Sequence, residues 1–196
     1  MIAIIDYGMG NLRSVQKAFE YLGEKAVVSG DKDTLEKCSK LILPGVGSFG
    51  KGITELKERG LFSYVLERAK IGTHILGICL GMQFLLSESY EDGKNAGLDI
   101  VKGKVVKFTE GKIPQIGWNE VYNLKTPLFN EIEENSKFYF VHSYYADTIK
   151  EYTMASCNYY TQYAAAVYKD NVYGVQFHPE KSGKTGLKLL KNFAKL

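Results

Sequence analysis

Apolar residues fall along this chain in two rhythms. Up to about residue 90, short β-branched runs alternate with longer amphipathic stretches. Ile2 to Asp6 precedes a helical pattern over Leu12 to Leu22, and Lys25 to Val28 precedes a short one over Lys32 to Lys37. Lys40 to Leu43, stopped by Pro44-Gly45, leads to a helical stretch over Phe49 to Lys70 that Gly60 interrupts, and His74 to Ile78 leads to a helix from Leu80 to Ser87. Strands that are apolar throughout and separated by helices predict a parallel sheet covered on both faces. Beyond Gly93 the rhythm shortens. Val101 to Phe108, Ile113 to Val121, Lys137 to His142, Thr153 to Cys157, Ala164 to Tyr168 and Val172 to Val175 are strand-like with short connections, so hairpins should dominate before a last amphipathic helix, Thr185 to Leu196. The expected fold is one α/β domain over residues 1–196: an open, mostly parallel central sheet flanked by helices, with an antiparallel extension in the C-terminal half. No repeat, low-complexity tract or Pro- or Ser-rich linker divides it.

Composition narrows the function. A 196-residue chain that is 45% hydrophobic, with 14 Tyr and 10 Phe, has material for a sizeable core, which excludes a disordered chain. The longest apolar runs, such as Leu41 to Leu43 and Ile75 to Leu80, are strand length, far short of the roughly 20 residues that span a bilayer. Met1 leads straight into Ile2 to Ile5 and Asp6 without a basic leader or small-residue cleavage site, so a cytoplasmic location and no membrane partner are expected. The 25 Lys and Arg against 22 Asp and Glu leave +3. The basic residues are scattered, or alternate with Leu and Phe at helical spacing as in Lys184 to Lys195, so nucleic acid is not an expected partner. Cys38, Cys79 and Cys157 are odd in number and widely spaced, which suits neither a disulfide framework nor a zinc site, and the histidines are isolated. No metal and no cofactor are expected.

Three segments carry candidate chemistry. In Gly77-Ile78-Cys79-Leu80-Gly81 a buried strand turns abruptly into a helix with glycine two residues either side of a cysteine, the form of a nucleophile elbow. A helix N-terminus favours the thiolate, which is the nucleophilic species. Cys38 and Cys157 lie in no comparable turn and read as core. In Gln176-Phe177-His178-Pro179-Glu180, residues two apart in extended chain project to one side, so Glu180 can fix the tautomer of His178 and leave its other nitrogen to exchange a proton with Cys79. The alternative is a surface turn with an ordinary ion pair. Pro44-Gly45-Val46-Gly47-Ser48-Phe49-Gly50 matches G-x-G-x-x-G, but a dinucleotide fold needs that pattern on the first strand, with an acidic residue closing the next one. Its other reading is an oxyanion loop, with Val46 or Gly47 supplying one N–H donor and Leu80 the other; a plain tight turn is the third.

On these residues the chain resembles the triad-type (class I) glutamine amidotransferases, whose glutaminase domain carries a cysteine elbow followed much later by His-x-Glu. The resemblance covers essentially the whole chain and implies a flavodoxin-like arrangement. Ile4 to Leu12, Pro44 to Gly47, Cys79 to Gln83, Gly117-Trp118-Asn119 and His142-Ser143-Tyr144 are together similar to the glutaminase subunits that serve imidazole glycerol phosphate synthases. Met82 stands where anthranilate and aminodeoxychorismate relatives usually have His. The family implies that Cys79 attacks the amide of glutamine, that His178 protonates the departing ammonia, and that water then hydrolyses the thioester. Gln83, Glu91 and Ser143 match positions that hold the substrate; Asn11, Trp118 and Tyr144 match positions at the partner interface, although Trp118 as core is the plainer reading. The implied partner is a separate (β/α)8 cyclase subunit, which receives ammonia through a tunnel and makes imidazole glycerol phosphate and an aminoimidazole carboxamide ribotide in histidine biosynthesis. A sealed path matters because ammonium, the prevalent form at neutral pH, is not a nucleophile. If the Pro44 to Gly47 peptide must rotate to complete the oxyanion hole, the partner would also switch activity on. Competing readings are the same glutaminase feeding another synthase, such as one modifying a surface-glycan sugar, a thiol peptidase-like hydrolase, and a catalytically silent homologue.

Overall fold

The computed structural model describes residues 1–196. Its first half is a regular β/α alternation: β1 (Ile2–Ile5), α1 (Leu12–Tyr21), β2 (Ala26–Ser29), α2 (Lys32–Glu36), β3 (Lys40–Leu43), α3 (Phe49–Glu58), α4 (Leu61–Lys70), β4 (His74–Ile78) and α5 (Leu80–Phe84). The second half supplies β5 (Leu86–Ser89), β6 (Asn95–Ala96), β7 (Val101–Lys107), β8 (Gln115–Tyr122), β9 (Ser136–His142), β10 (Tyr144–Thr148), β11 (Thr153–Tyr159), β12 (Thr161–Lys169), β13 (Val172–Val175) and α6 (Gly183–Lys195).

The central strands run β2-β1-β3-β4-β13, all parallel. From β13 the sheet continues antiparallel through β12, which carries β10 and β7 in one direction and β11, β8 and β9 in the other. Alternation along the buried strands divides the core as the unbroken apolar runs require. Ile2, Ile4, Ile42, Leu76 and Ile78 pack with Val15 and Phe19 of α1 and Leu189, Leu190 and Phe193 of α6. Ala3, Ile5, Leu41, Leu43 and Ile75 face the other way, onto Phe49, Ile53 and Leu56 of α3 and Leu61 and Val65 of α4. Local signals agree: the Asp31 side chain accepts from Thr34 N–H at 3.0 Å to cap α2, and Gly60, at φ 65°, makes the break between α3 and α4.

Two expectations need correcting. The helix after Cys79 ends at Phe84, not Ser87, and Leu86 starts a strand. Leu80 to Leu86 is nearly all apolar, so its periodicity holds no stop signal. What ends it is returning chain: Leu98 N–H bonds the Phe84 carbonyl at 2.8 Å, and Ile100 and Val101 N–H bond that of Leu85 at 3.0 and 2.9 Å. These donors satisfy helix-terminal carbonyls and draw Leu86–Ser89 into parallel pairing with β7. The sequence reading also passed over β10, because only Ala146 of its five residues is buried and no alternation marks it.

Candidate active site

The parallel strands all end toward one edge, and three of the loops there converge. Cys79 follows β4 with φ 54° and ψ −110°, a conformation L-residues rarely adopt. A tight turn holds it: Cys79 N–H donates to the Val175 carbonyl at 2.8 Å, and a Cβ on Gly77 would lie 2.6 Å from the Gly81 carbonyl oxygen. A Cβ on Gly81 would collide with the Leu43 carbonyl, so the elbow closes only if both flanking residues are glycine. Leu80 is the first residue of α5, and its N–H has no intrahelical acceptor. The Gly-rich loop lies against this turn. A Cβ on Gly45 would sit 2.8 Å from Leu80 Cβ and 2.9 Å from Gly81 N, and the Tyr7 hydroxyl donates to the Pro44 carbonyl at 2.8 Å.

His178 follows β13, beside β4. Its Nδ1 lies 2.8 Å from Glu180 Oε1, and both side chains are buried, at 2% and 1% exposure. His178 N–H donates to the Tyr139 carbonyl at 2.9 Å, and Ser182 Oγ donates to the His178 carbonyl at 2.6 Å, so backbone bonds on both sides set the ring. Nε2 is buried without a well-formed hydrogen bond, and His178 shares a pocket with Cys79. Burial disfavours a charged ring, but polar contact with, and Coulomb attraction to, Cys79 and Glu180 outweigh it and push His178 up to about 10.

The pocket has a volume of about 350 Å³. It gathers nearly every residue that the sequence singles out: Val46, Gly47, Cys79, Leu80, Gln83, Glu91, Ser143, Tyr144 and His178 all line it. Glu180 stands behind His178, and Asn11 Nδ2 donates to the same Glu180 oxygen at 3.4 Å, so Asn11 lies in contact with the carboxylate that orients His178. Gln83 Nε2 donates to the Tyr144 carbonyl at 3.0 Å and to Gln176 Oε1 at 3.1 Å. Glu91 Oε2 accepts the Phe49 N–H at 2.6 Å, so the N-terminus of α3, where a phosphate would sit in a dinucleotide fold, is already taken by a carboxylate. Burial raises the Glu91 pKa, with Asp92 adding to it and the Phe49 hydrogen bond opposing it. Trp118 is not brought to the pocket, and it is not core either. It is 55% exposed on β8, two residues from Ile116 at 62%, with its ring edge-on to Tyr139.

Gln176 and His142 lie within motifs that the sequence singles out, but sequence reasoning gave neither a role. Gln176 is fully buried, and its Nε2 lies 3.7 Å from Cys79 Sγ. Its only signal in the sequence was proximity to His178, because the extended alternation expected over 176–180 does not form: β13 ends at Val175, the chain bends at Gln176 and Phe177, and Glu180 reaches His178 from a 3-10 turn over Pro179–Lys181. His142 donates from Nδ1 to the Tyr144 carbonyl at 2.8 Å, and its Nε2 lies 3.3 Å from the Tyr163 hydroxyl. Its burial lowers the pKa to about 4 despite that carbonyl, with the charge of His178 adding to the depression. No group of three His, Cys, Asp or Glu side chains is arranged to hold a metal ion, and no helix is long and apolar enough to cross a membrane.

Comparison with known proteins places the chain in a family. Residues 3–196 match the family described as glutamine amidotransferase class-I. The imidazole glycerol phosphate synthase subunit HisH of Chlorobium chlorochromatii is 49% identical, with 100% of both chains covered. That of Methanosarcina barkeri is also 49% identical, over 98% of this chain and 96% of the relative. Among solved structures, PurLQS from Thermotoga maritima superposes with a TM-score of 0.79 at 22% identity, covering 99% of this chain and 97% of that one, which shows a shared fold. The chain is an enzyme subunit that belongs to the class I glutamine amidotransferases and, within them, to the family of HisH subunits.

Proposed function

We propose that this single domain hydrolyses glutamine at Cys79, with His178 and Glu180 completing a triad, and passes the ammonia to a (β/α)8 cyclase partner in the cytoplasm for imidazole glycerol phosphate formation. One observation carries the reading: a cysteine in a strained elbow, an imidazole set by a buried carboxylate, and Gln83 and Glu91 all open onto one amino-acid-sized pocket. The Cys79 thiolate adds to the side-chain carboxamide of glutamine, and the oxyanion that forms is held by Leu80 N–H together with Val46 or Gly47. Collapse of the adduct breaks the C–N bond as His178 gives its proton to the departing nitrogen, leaving a thioester and ammonia. His178, now neutral, takes a proton from water as it attacks the thioester; glutamate leaves, and thiolate and imidazolium are restored. Gln83, Glu91 and Ser143 hold the amino-acid end of the substrate.

The names of the relatives, each a subunit of a synthase, support a partner chain. Asn11, Tyr144 and the exposed Trp118 mark the face it would cover, and contact there would reach Glu180 through Asn11. Glutamate release, measured with and without the cyclase, tests both parts. Cys79→Ala should lower it by about 10⁴-fold or more in either condition. Activity retained in that variant would refute the mechanism, and equal parent rates with and without the cyclase and its ligand would refute switching by the partner.

A further inference from the structure

Between Cys79 and the strand bearing Tyr144 runs a chain of amide groups whose polarity is fixed from one end. The Tyr144 carbonyl can only accept, so the Gln83 group facing it at 3.0 Å is its NH2. The second hydrogen of that NH2 goes to Gln176 at 3.1 Å, so Gln176 must present its oxygen there. The NH2 of Gln176 then points the other way, to Cys79 Sγ at 3.7 Å. Neither amide can flip without setting two donors or two acceptors against each other inside the protein. Gln83 is 5% exposed and Gln176 is fully buried, so water does not readily replace the lost partner. The directed chain leaves Gln83 Oε1 as the group's free acceptor.

We propose that Gln176 is a positioning residue that holds the Cys79 sulfur by amide donation and couples it to the glutamine-holding Gln83. An N–H donor aimed at sulfur favours thiolate over thiol and fixes the sulfur on the side of the elbow facing the substrate. Because Gln83 occupies the other end of the Gln176 amide, a ligand bonded to Gln83 tightens the donor on the nucleophile. The inference rests on Cys79 being the nucleophile.

The test uses the full-length chain: the rate of Cys79 alkylation by iodoacetamide against pH, read by mass spectrometry of the Cys79 peptide, alongside glutaminase kinetics. Gln176→Met, which keeps length and volume but donates nothing, should raise the pH midpoint of alkylation by ~1 unit and lower kcat about 10-fold. Gln176→Glu should raise it further, because a carboxylate would face the sulfur. In a double-mutant cycle, Gln83→Ala and Gln176→Met should lower kcat/KM together by clearly less than the product of their separate effects. A purely structural role moves the melting temperature but not the alkylation midpoint. If folded Gln176→Met and Gln176→Glu both keep the parent midpoint, the inference is overturned; multiplicative effects in the cycle would overturn the coupling. Loss of glutaminase in Cys79→Ala beside such unchanged midpoints would place the failure here and not in the proposed mechanism.

Discussion

Two histidines line the same pocket from different parts of the sheet, and their surroundings drive them in opposite directions. His178 ends the parallel sheet and His142 ends a strand of the antiparallel extension; both are buried, at 2% and 6% exposure. Burial alone disfavours the imidazolium at both sites. At His142 nothing reverses it, because its partners are a main-chain carbonyl and a tyrosine hydroxyl, and the pKa falls to about 4. At His178 the charge is answered by Cys79 and Glu180, and the pKa rises to about 10. At neutral pH one ring is therefore a proton donor and the other a neutral brace. The parallel strands carry Cys79 and His178 at their ends, where loops gather in such sheets, while the extension supplies His142, Ser143 and Tyr144 to the facing wall of the pocket.

Among changes that leave Cys79 in place, removing the Glu180 carboxylate, one of the two groups that set His178 apart from His142, gives the largest effect. Glu180→Gln keeps a hydrogen-bonding group beside Nδ1 but cancels its charge, so His178 should fall back toward the behaviour of His142. We expect glutaminase kcat to drop by about 10³-fold, with the alkaline limb of the pH profile moving to lower pH. The linkage has a definite sign. A raised pKa means that the stabilisation from His178 is fully present below about 6.5 and is lost as pH rises through about 10. Melting temperatures between those values should fall with pH in the parent and stay flatter in the variant. An unchanged slope would show that Glu180 does not set the charge of His178.

His142→Phe should act more mildly. The ring already sits against Phe108, Phe140 and Tyr163, with centroids 5.4 to 5.6 Å away, so an aromatic of similar shape is accommodated. Its lost partners are not stranded: the Tyr144 carbonyl keeps the Gln83 donor, and the Tyr163 hydroxyl keeps Gln115 Oε1 at 3.0 Å. The expected cost is about 1 kcal/mol of stability, with a severalfold rise in KM for glutamine and a smaller change in kcat. Here the pH sign is opposite. With a depressed pKa, the stabilisation is present above about 6.5 and is lost as pH falls through about 4, and that acid-side loss should shrink in the Phe variant. A fall in kcat matching that of Glu180→Gln would end the distinction between the two rings.

The asymmetry between the halves also explains what could be read from sequence. In the parallel sheet the central strands are largely apolar, and Gly77 and Gly81 announce the elbow around Cys79 by spacing alone, because a Cβ at either glycine would run into backbone. The His178 and Glu180 pair was also local in sequence, although the expected extended chain gives way after His178 to a 3-10 turn over Pro179–Lys181, and it is this turn that brings Glu180 to Nδ1. In the extension the informative contacts are long-range. His142 to Tyr163, Gln83 to Tyr144 and the pairing that cuts α5 short at Phe84 join residues whose own segments carry no matching pattern. Gln176 lies two residues before His178, yet its contact with Gln83 depends on a position that no spacing along the chain supplies.

The smallest effect on the isolated chain should come from the outer face of the extension. Ile116 and Trp118 lie on one side of β8, more than half exposed, and the Trp118 ring touches Tyr139 only edge-on at 6.1 Å. A side chain so placed gives the fold little, so Trp118→Ala should shift stability by about 0.5 kcal/mol or less and leave glutamine alkylation protection at Cys79 unchanged. If this strand forms part of the docking face, the same variant should weaken capture of the cyclase by 10-fold or more, since a large aromatic is a common anchor at interfaces. Titration of the partner, followed by calorimetry, separates the outcomes. Unaltered affinity would remove Trp118 from the interface, and a loss of stability without a loss of affinity would show that its edge-on contact with Tyr139 supports the fold instead.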